Sequence, residues 1–237
     1  MLCLILIMPS INFAKAGIEN TMPAPDEMKA TIEAAIMSFD KHKTKPDTAD
    51  AWLSKARTAF NRGQYNKAIK YNKKAIKLNP NLAAAYFSLG NIYKDYKKKY
   101  NKAIKCFKKT VELRPSHAFA YLSLGDIYNT KKKNYDEAIK YYEKAIESDP
   151  DFWHAYFSLG VVYFRGKQDY DNAIKYFQKT INLYPKDAFA YRHLGYIYHA
   201  QGNEEKAIEY YKKAAKLRDE DSQQFLRDKN ITWEGNN

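Results

Sequence analysis

Cysteine is nearly absent from this chain, with two among 237 residues. Cys3 lies near the start and Cys106 stands alone in the remainder, so a disulfide framework within one mature chain is excluded. Cys106 sits beside the apolar Phe107 in a helical stretch and reads as a packing residue. Arginine is scarce too: lysine supplies most of the formal charge of +13. With no reader motif for bases, that balance points to acidic partners or anionic surfaces and away from nucleic acid. A glycine-rich phosphate loop, a His-Glu-x-x-His pair and cysteine pairs at metal spacing are all missing, so the sequence gives catalysis, cofactors and metal ions no footing. No apolar run is long enough to span a bilayer.

A period of 35 residues is what the chain does have. Gly90, Gly125, Gly160 and Gly195 each lie within Tyr-x-x-Leu-Gly-x-x-Tyr, from Tyr86–Tyr93 to Tyr191–Tyr198. An Ala-Ile pair follows each, at Ala103, Ala138, Ala173 and Ala207, and Pro80, Pro115, Pro150 and Pro185 recur at the same interval. Such a period specifies a solenoid in which each unit buries its apolar face on the next. Each unit holds two helical patterns; in the second, helix A is predicted over Leu82 to Asp95 and helix B over Asn101 to Leu113. Glycine on A and alanine on B are small where the helices approach, and proline stops helix B because it has no N–H to donate. An earlier unit has Trp52, Ala56 and Ala59 in place of Tyr, Gly and Tyr. Units two to four carry one extra residue between glycine and alanine, expected in the basic turns Lys94–Tyr100 and Lys131–Tyr135.

Residues 1–16 read as a secretory leader, with a short apolar run over Leu2–Met8 and Ala14-Lys-Ala16 as a small-x-small cleavage site; no basic residue precedes the run. Residues 17–49 form an N-terminal segment with one helical pattern over 26–40, whose stripe is Met28, Ile32, Ala35, Ile36 and Phe39. The units are expected at about 50–80, 81–115, 116–150, 151–185 and 186–219. A capping helix and tail over 220–237 follow, in which Phe225 and Leu226 cover the open apolar edge.

The pattern Trp/Tyr-x-x-Leu-Gly-x-x-Tyr, then Ala, Phe/Tyr, Ala and Pro, repeated in phase five times, resembles the tetratricopeptide repeat family. Thr110 and Thr180 depart from it where alanine is usual. The resemblance implies an all-α, right-handed superhelical solenoid, bacterial and exported in the commonest setting of such arrays in the envelope. It also implies a non-catalytic adaptor holding a partner's peptide or helix in a concave groove lined by helices A. Carried onto this chain, the groove is Phe60, Phe87, Asn91, Phe119, Leu122, Asp126, His154, Phe157, Phe164, Phe189, Arg192, Tyr196 and His199. Its seven aromatics would form a nearly continuous apolar strip broken by Asn91, Asp126 and Arg192, unless they pack inward or are covered by the 26–40 helix. A subclass that clamps chaperone tails needs lysines where Phe87 and Phe189 stand and arginine at His193, so that ligand is not expected. His154, His193 and His199 lie near one end as polar groove residues, and six residues separate the last two, off any shared helical face.

A second surface is basic. Lys70, Lys105, Lys140 and Lys175 lie two residues after the alanine, and Lys74, Lys109, Lys144 and Lys179 four further on. Such i,i+4 lysines repel, so helix stability does not call for them. They would form a convex ridge facing solvent, or an acidic protein or anionic envelope surface.

Overall fold

The computed structural model describes residues 47–233; the expected leader over 1–16 and helix over 26–40 lie outside them. Among the described residues there are eleven α-helices and no strand. They form five helix pairs and a terminal helix: α1 (Ala49–Asn61) with α2 (Tyr65–Leu78), α3 (Ala83–Asn91) with α4 (Tyr100–Leu113), α5 (Ala118–Ile127) with α6 (Tyr135–Ser148), α7 (Trp153–Val161) with α8 (Tyr170–Leu183), α9 (Ala188–Ala200) with α10 (Glu204–Lys216), then α11 (Glu220–Asp228). Each helix packs against its neighbours in sequence, which is the α-solenoid the period specifies.

Prolines mark the ends of four units. The residues one before them, Asn79, Arg114, Asp149 and Tyr184, have left the helical region, with φ between −136° and −152°. A residue before proline is driven out of the α region by the pyrrolidine ring, so helix B stops there. Starts are fixed by short polar side chains: Asn134, Asp169, Asp187 and Asn203 each accept from the backbone N–H three residues on, satisfying a donor that the first turn leaves orphaned.

The interior is built from the repeat. Ala68, Ala103, Ala138, Ala173 and Ala207 are fully buried, as are Phe107, Tyr142 and Phe177; each such ring contributes roughly 1.5–3 kcal/mol by leaving water. What meets each helix A glycine, however, is the ring on helix B and not its alanine. A Cβ on Gly90, Gly125, Gly160 or Gly195 would lie 2.4–2.7 Å from a ring carbon of Phe107, Tyr142, Phe177 or Tyr211. The first unit fills the equivalent positions differently, with Ala56 on helix A and the smaller Asn72 on helix B, both fully buried. The two threonines that replace alanine are also buried, and each hydroxyl donates back one turn, Thr110 to the Cys106 carbonyl at 3.0 Å and Thr180 to that of Tyr176 at 2.9 Å.

The extra residue of units two to four is taken up as a π-helical end to helix A that runs into the basic turns: Ile92–Tyr96, Tyr128–Lys132 and Val162–Lys167. There the last N–H bonds reach back six residues, as in Lys99 to Tyr93 and Asn134 to Tyr128. In units one and five they reach back five, Gln64 to Ala59 and Asn203 to Tyr198. The left-handed residue that follows is glycine in those two units, Gly63 and Gly202, but Lys98, Lys133 and Gln168 in the longer ones. At the far end Leu226 is fully buried, and Phe225, Ile231 and Trp233 pack on the same cluster.

Candidate functional site

Helix A of the first two units frames an apolar recess. Leu53 and Phe60 from α1 and Phe87 from α3 line a hollow of about 440 Å³, rimmed by Asp50, Arg57 and Asn91. Periodicity places these residues because steps of three and four return to one helix face. Ser54 and Ser88 line it too and were missed, because small hydroxyls carry no periodic signal. Ser88 Oγ accepts from Asn72 Nδ2 at 3.0 Å, which ties the recess to helix B of unit one. The Phe87 ring leans on His117 (4.4 Å between centroids) and Phe107 (5.8 Å), and Phe60 packs on Tyr65 and Tyr96.

The remaining groove aromatics do not form one exposed strip. Phe119 and Phe189 are 52% and 55% exposed, whereas Phe157 and Phe164 are half-buried. The difference follows their place on helix A. Six residues before the glycine the ring projects outward, while three before it the ring reaches the aromatic of helix B, as Phe157 reaches Phe177 at 5.6 Å. Leu122 is half-buried against the Ala118–Phe152 cluster. Asp126 accepts from the Tyr142 hydroxyl at 3.0 Å. Burial raises its carboxyl above the usual range, opposed by nearby Lys94.

Two expectations at the far end need revision. His193 is not a groove residue: it is 5% exposed, set among Phe157, Phe164 and Phe177, with Nδ1 2.7 Å from the Phe189 carbonyl. Burial pushes it down to about 4, so the ring is neutral at ordinary pH. Arg192 does not stand open. Its guanidinium is bound by Asp219 at 2.9 Å and by Asp221, both from the start of the capping segment. His199 contacts Glu204 at 2.7 Å, and Tyr196 remains exposed nearby. His154 stacks on Trp153 at 3.6 Å, and its desolvation lowers its pKa. The three histidines are thus separately engaged, and among the described residues no group of three or more His, Cys, Asp or Glu could hold a metal ion.

On the helices B seven of the eight ridge lysines are exposed and Lys109 is half-buried. Among the described residues three have acidic partners: Lys74 with Asp47 at 3.0 Å, Lys109 with Glu112 at 2.6 Å, and Lys140 with Glu137 at 3.7 Å. Cys106 is half-buried and its thiol is pushed up to about 11 by burial, which leaves almost no thiolate at neutral pH. No helix among the described residues is long and apolar enough to cross a membrane.

Profiles described as tetratricopeptide repeat or TPR repeat match residues 49–82, 94–145, 129–166 and 154–220. A crystal structure of MamA is 30% identical at a TM-score of 0.62, over 71% of this chain and 96% of that one. A MamA structure from Desulfovibrio magneticus RS-1 is 25% identical at 0.64, over 73% and 96%. YrrB, whose structure is described as a TPR protein with an unusual peptide-binding site, is 23% identical at 0.60, over 81% and 97%, a likeness of fold. Comparison with curated proteins finds no match.

Proposed function

The chain belongs to the tetratricopeptide repeat family, a protein-interaction fold, and we propose that it is a non-catalytic adaptor whose concave face holds a peptide or helix of another protein. The observation that carries this reading is the hollow between units one and two. An apolar floor of Leu53, Phe60 and Phe87 supplies affinity by excluding water, and Asp50, Arg57 and Asn91 on its rim can pair with backbone or charged groups. Asn is suited to a peptide main chain because it both donates and accepts. Farther along, Phe119, Phe189 and Tyr196 offer separate apolar contacts rather than a continuous track. Export, and service in assembling an envelope machine, belong to the same proposal and rest on the leader-like residues 1–16.

Panning a random peptide library on the full chain and on a Leu53→Ser/Asn91→Ala variant tests it. Peptides that share a pattern and are lost on the variant support the groove; no enrichment, or enrichment that the variant keeps, rejects it.

A second reading, favoured by the outward lysines of the helices B, is attachment to an acidic protein or anionic surface through that ridge. Ionic strength separates the two. Binding on an apolar floor changes little with salt, whereas contacts between exposed charges are screened away.

A further inference from the structure

The ends of α3 and α5 hold a concentration of lysine that neither the groove nor the ridge uses. Lys98, Lys99, Lys102, Lys131 and Lys132, with Tyr100, line a hollow of about 410 Å³ that has no carboxylate in its wall. In the next two units the start of helix B carries the opposite charge or none. Lys99, Asn101 and Lys102 become Asn134, Asp136 and Glu137 one period on, and Asp169, Asp171 and Asn172 two periods on. At the next junction Lys167 is neutralised by Asp136 at 2.6 Å; its counterpart Lys132 meets only the neutral Asn101 amide oxygen, at 2.9 Å. The carboxylates of the adjoining hollow are engaged already, Asp95 lying 3.7 Å from Lys94 and Asp126 bound to Tyr142.

Helix stability does not explain the lysines. At the start of α4, Lys99 stands where other units place a capping Asn or Asp, and a cation there opposes the helix dipole. Two of the ammonium groups lie by aromatic rings, Lys131 5.5 Å from Tyr100 and Lys102 5.9 Å from Tyr93. Five like charges drawn into one hollow repel each other unless an anion is shared among them.

We infer that this hollow binds a compact anion bearing several phosphoryl groups. Linked phosphoryl groups concentrate charge and acceptor oxygens within a few ångströms, as several lysines around one hollow require. An acidic peptide spreads its charges along an extended or helical backbone, which suits an open row of lysines and not a hollow of this size.

Titration calorimetry of the full chain with inorganic tripolyphosphate tests the assignment. The chain is compared with Lys98→Gln/Lys131→Gln and with the charge-matched control Lys140→Gln/Lys175→Gln on the helices B, all checked for an unchanged melting profile. Saturable binding is expected, weakened about a hundredfold by the hollow substitutions, at roughly tenfold for each charge-assisted bond lost, and about threefold or less by the control. No saturable binding, or equal weakening by both variants, overturns it. Sedimentation with vesicles containing an anionic phospholipid separates the sources of the phosphoryl groups. Vesicle binding lost in the hollow variant, alongside tripolyphosphate binding, assigns a lipid headgroup; tripolyphosphate binding without vesicle binding assigns a soluble anion. Vesicle binding without tripolyphosphate binding refutes the site.

Discussion

Adding a single methyl group at Gly125 should cost this fold more than alanine's helix propensity returns. The new Cβ would lie 2.4, 2.6 and 2.9 Å from Cε1, Cδ1 and Cζ of Tyr142, against about 3.5–4.0 Å for carbon atoms at their optimum. The ring cannot step aside easily. It is fully buried, and its hydroxyl donates to Asp126 Oδ1 at 3.0 Å. Overpacking a well-filled core costs about 1–3 kcal/mol, and a ring held at both ends belongs near the top of that range. Replacing glycine by alanine inside a helix returns about 1 kcal/mol. Gly125→Ala is therefore expected to lose about 2 kcal/mol, or about 4–8 °C in melting temperature for an array of this length. Urea unfolding followed by helical circular dichroism gives the number.

Unit one supplies the control, because Ala56 and Asn72, both fully buried, stand there at the positions of the glycine and the ring. Tyr142→Asn alone forfeits a large buried side chain, about 3–5 kcal/mol. Adding Gly125→Ala in that background should then be neutral or stabilising by about 1 kcal/mol. A Gly125→Ala protein as stable as the parent, or the same loss in both backgrounds, would refute the glycine–ring account.

Three further outcomes follow from the geometry. Lys133 holds a left-handed backbone at φ 52° where units one and five use glycine, so Lys133→Gly should stabilise the array by about 1 kcal/mol in urea unfolding; a loss of stability would count against strain there. Asp219 binds Arg192 alongside Asp221 and caps α11, accepting from the Ser222 N–H at 2.8 Å; Asp219→Ala should cost about 2 kcal/mol by uncapping the helix and leaving the half-buried guanidinium to the exposed Asp221 alone, and a cost under about 0.5 kcal/mol would refute both roles. His193 titrates near 4 folded and near 6.5 unfolded because of burial. Its contribution is therefore present above pH 6.5 and lost as pH falls toward 4, since the unfolded chain takes the proton first. Against His193→Gln, the parent should lose about 3 kcal/mol or less across that window, and parallel pH profiles would refute the neutral buried ring.

Boundaries were legible to within a residue or two: helix B of unit two was expected from Asn101 to Leu113 and runs from Tyr100 to Leu113. Proline ends a helix by local chemistry, and in-phase glycines fix the pairing of A with B, so both survive without knowledge of tertiary contacts. Depth did not survive in the same way. Phe119 and Phe87 both fall on the groove side by helical count, yet one is exposed and the other leans on Phe107 and His117, because periodicity fixes a direction and not how far the neighbouring helix reaches. The capture of Arg192 by Asp219 and Asp221 was hidden for a related reason, the acids lying 27 and 29 residues away on an element outside the repeat. The count revealed an inserted residue in units two to four, but only the backbone shows that a π-helical turn takes it up.

Positions that keep the period cannot distinguish one partner from another, since units two to five present the same glycine, ring and alanine to their own interior. Discrimination has to come from positions that break it. On the groove side these are Arg57, Asn91 and Asp126, which take unlike charges at successive helices A. At the turns they are Lys98, Lys99 and Lys102, where later units carry neutral or acidic side chains except for Lys133 and Lys206. Changes at the first set should alter which peptide is selected and leave tripolyphosphate binding intact, and changes at the second should do the reverse. The two surfaces are therefore separable by mutation, even though both rest on the same stack of helices.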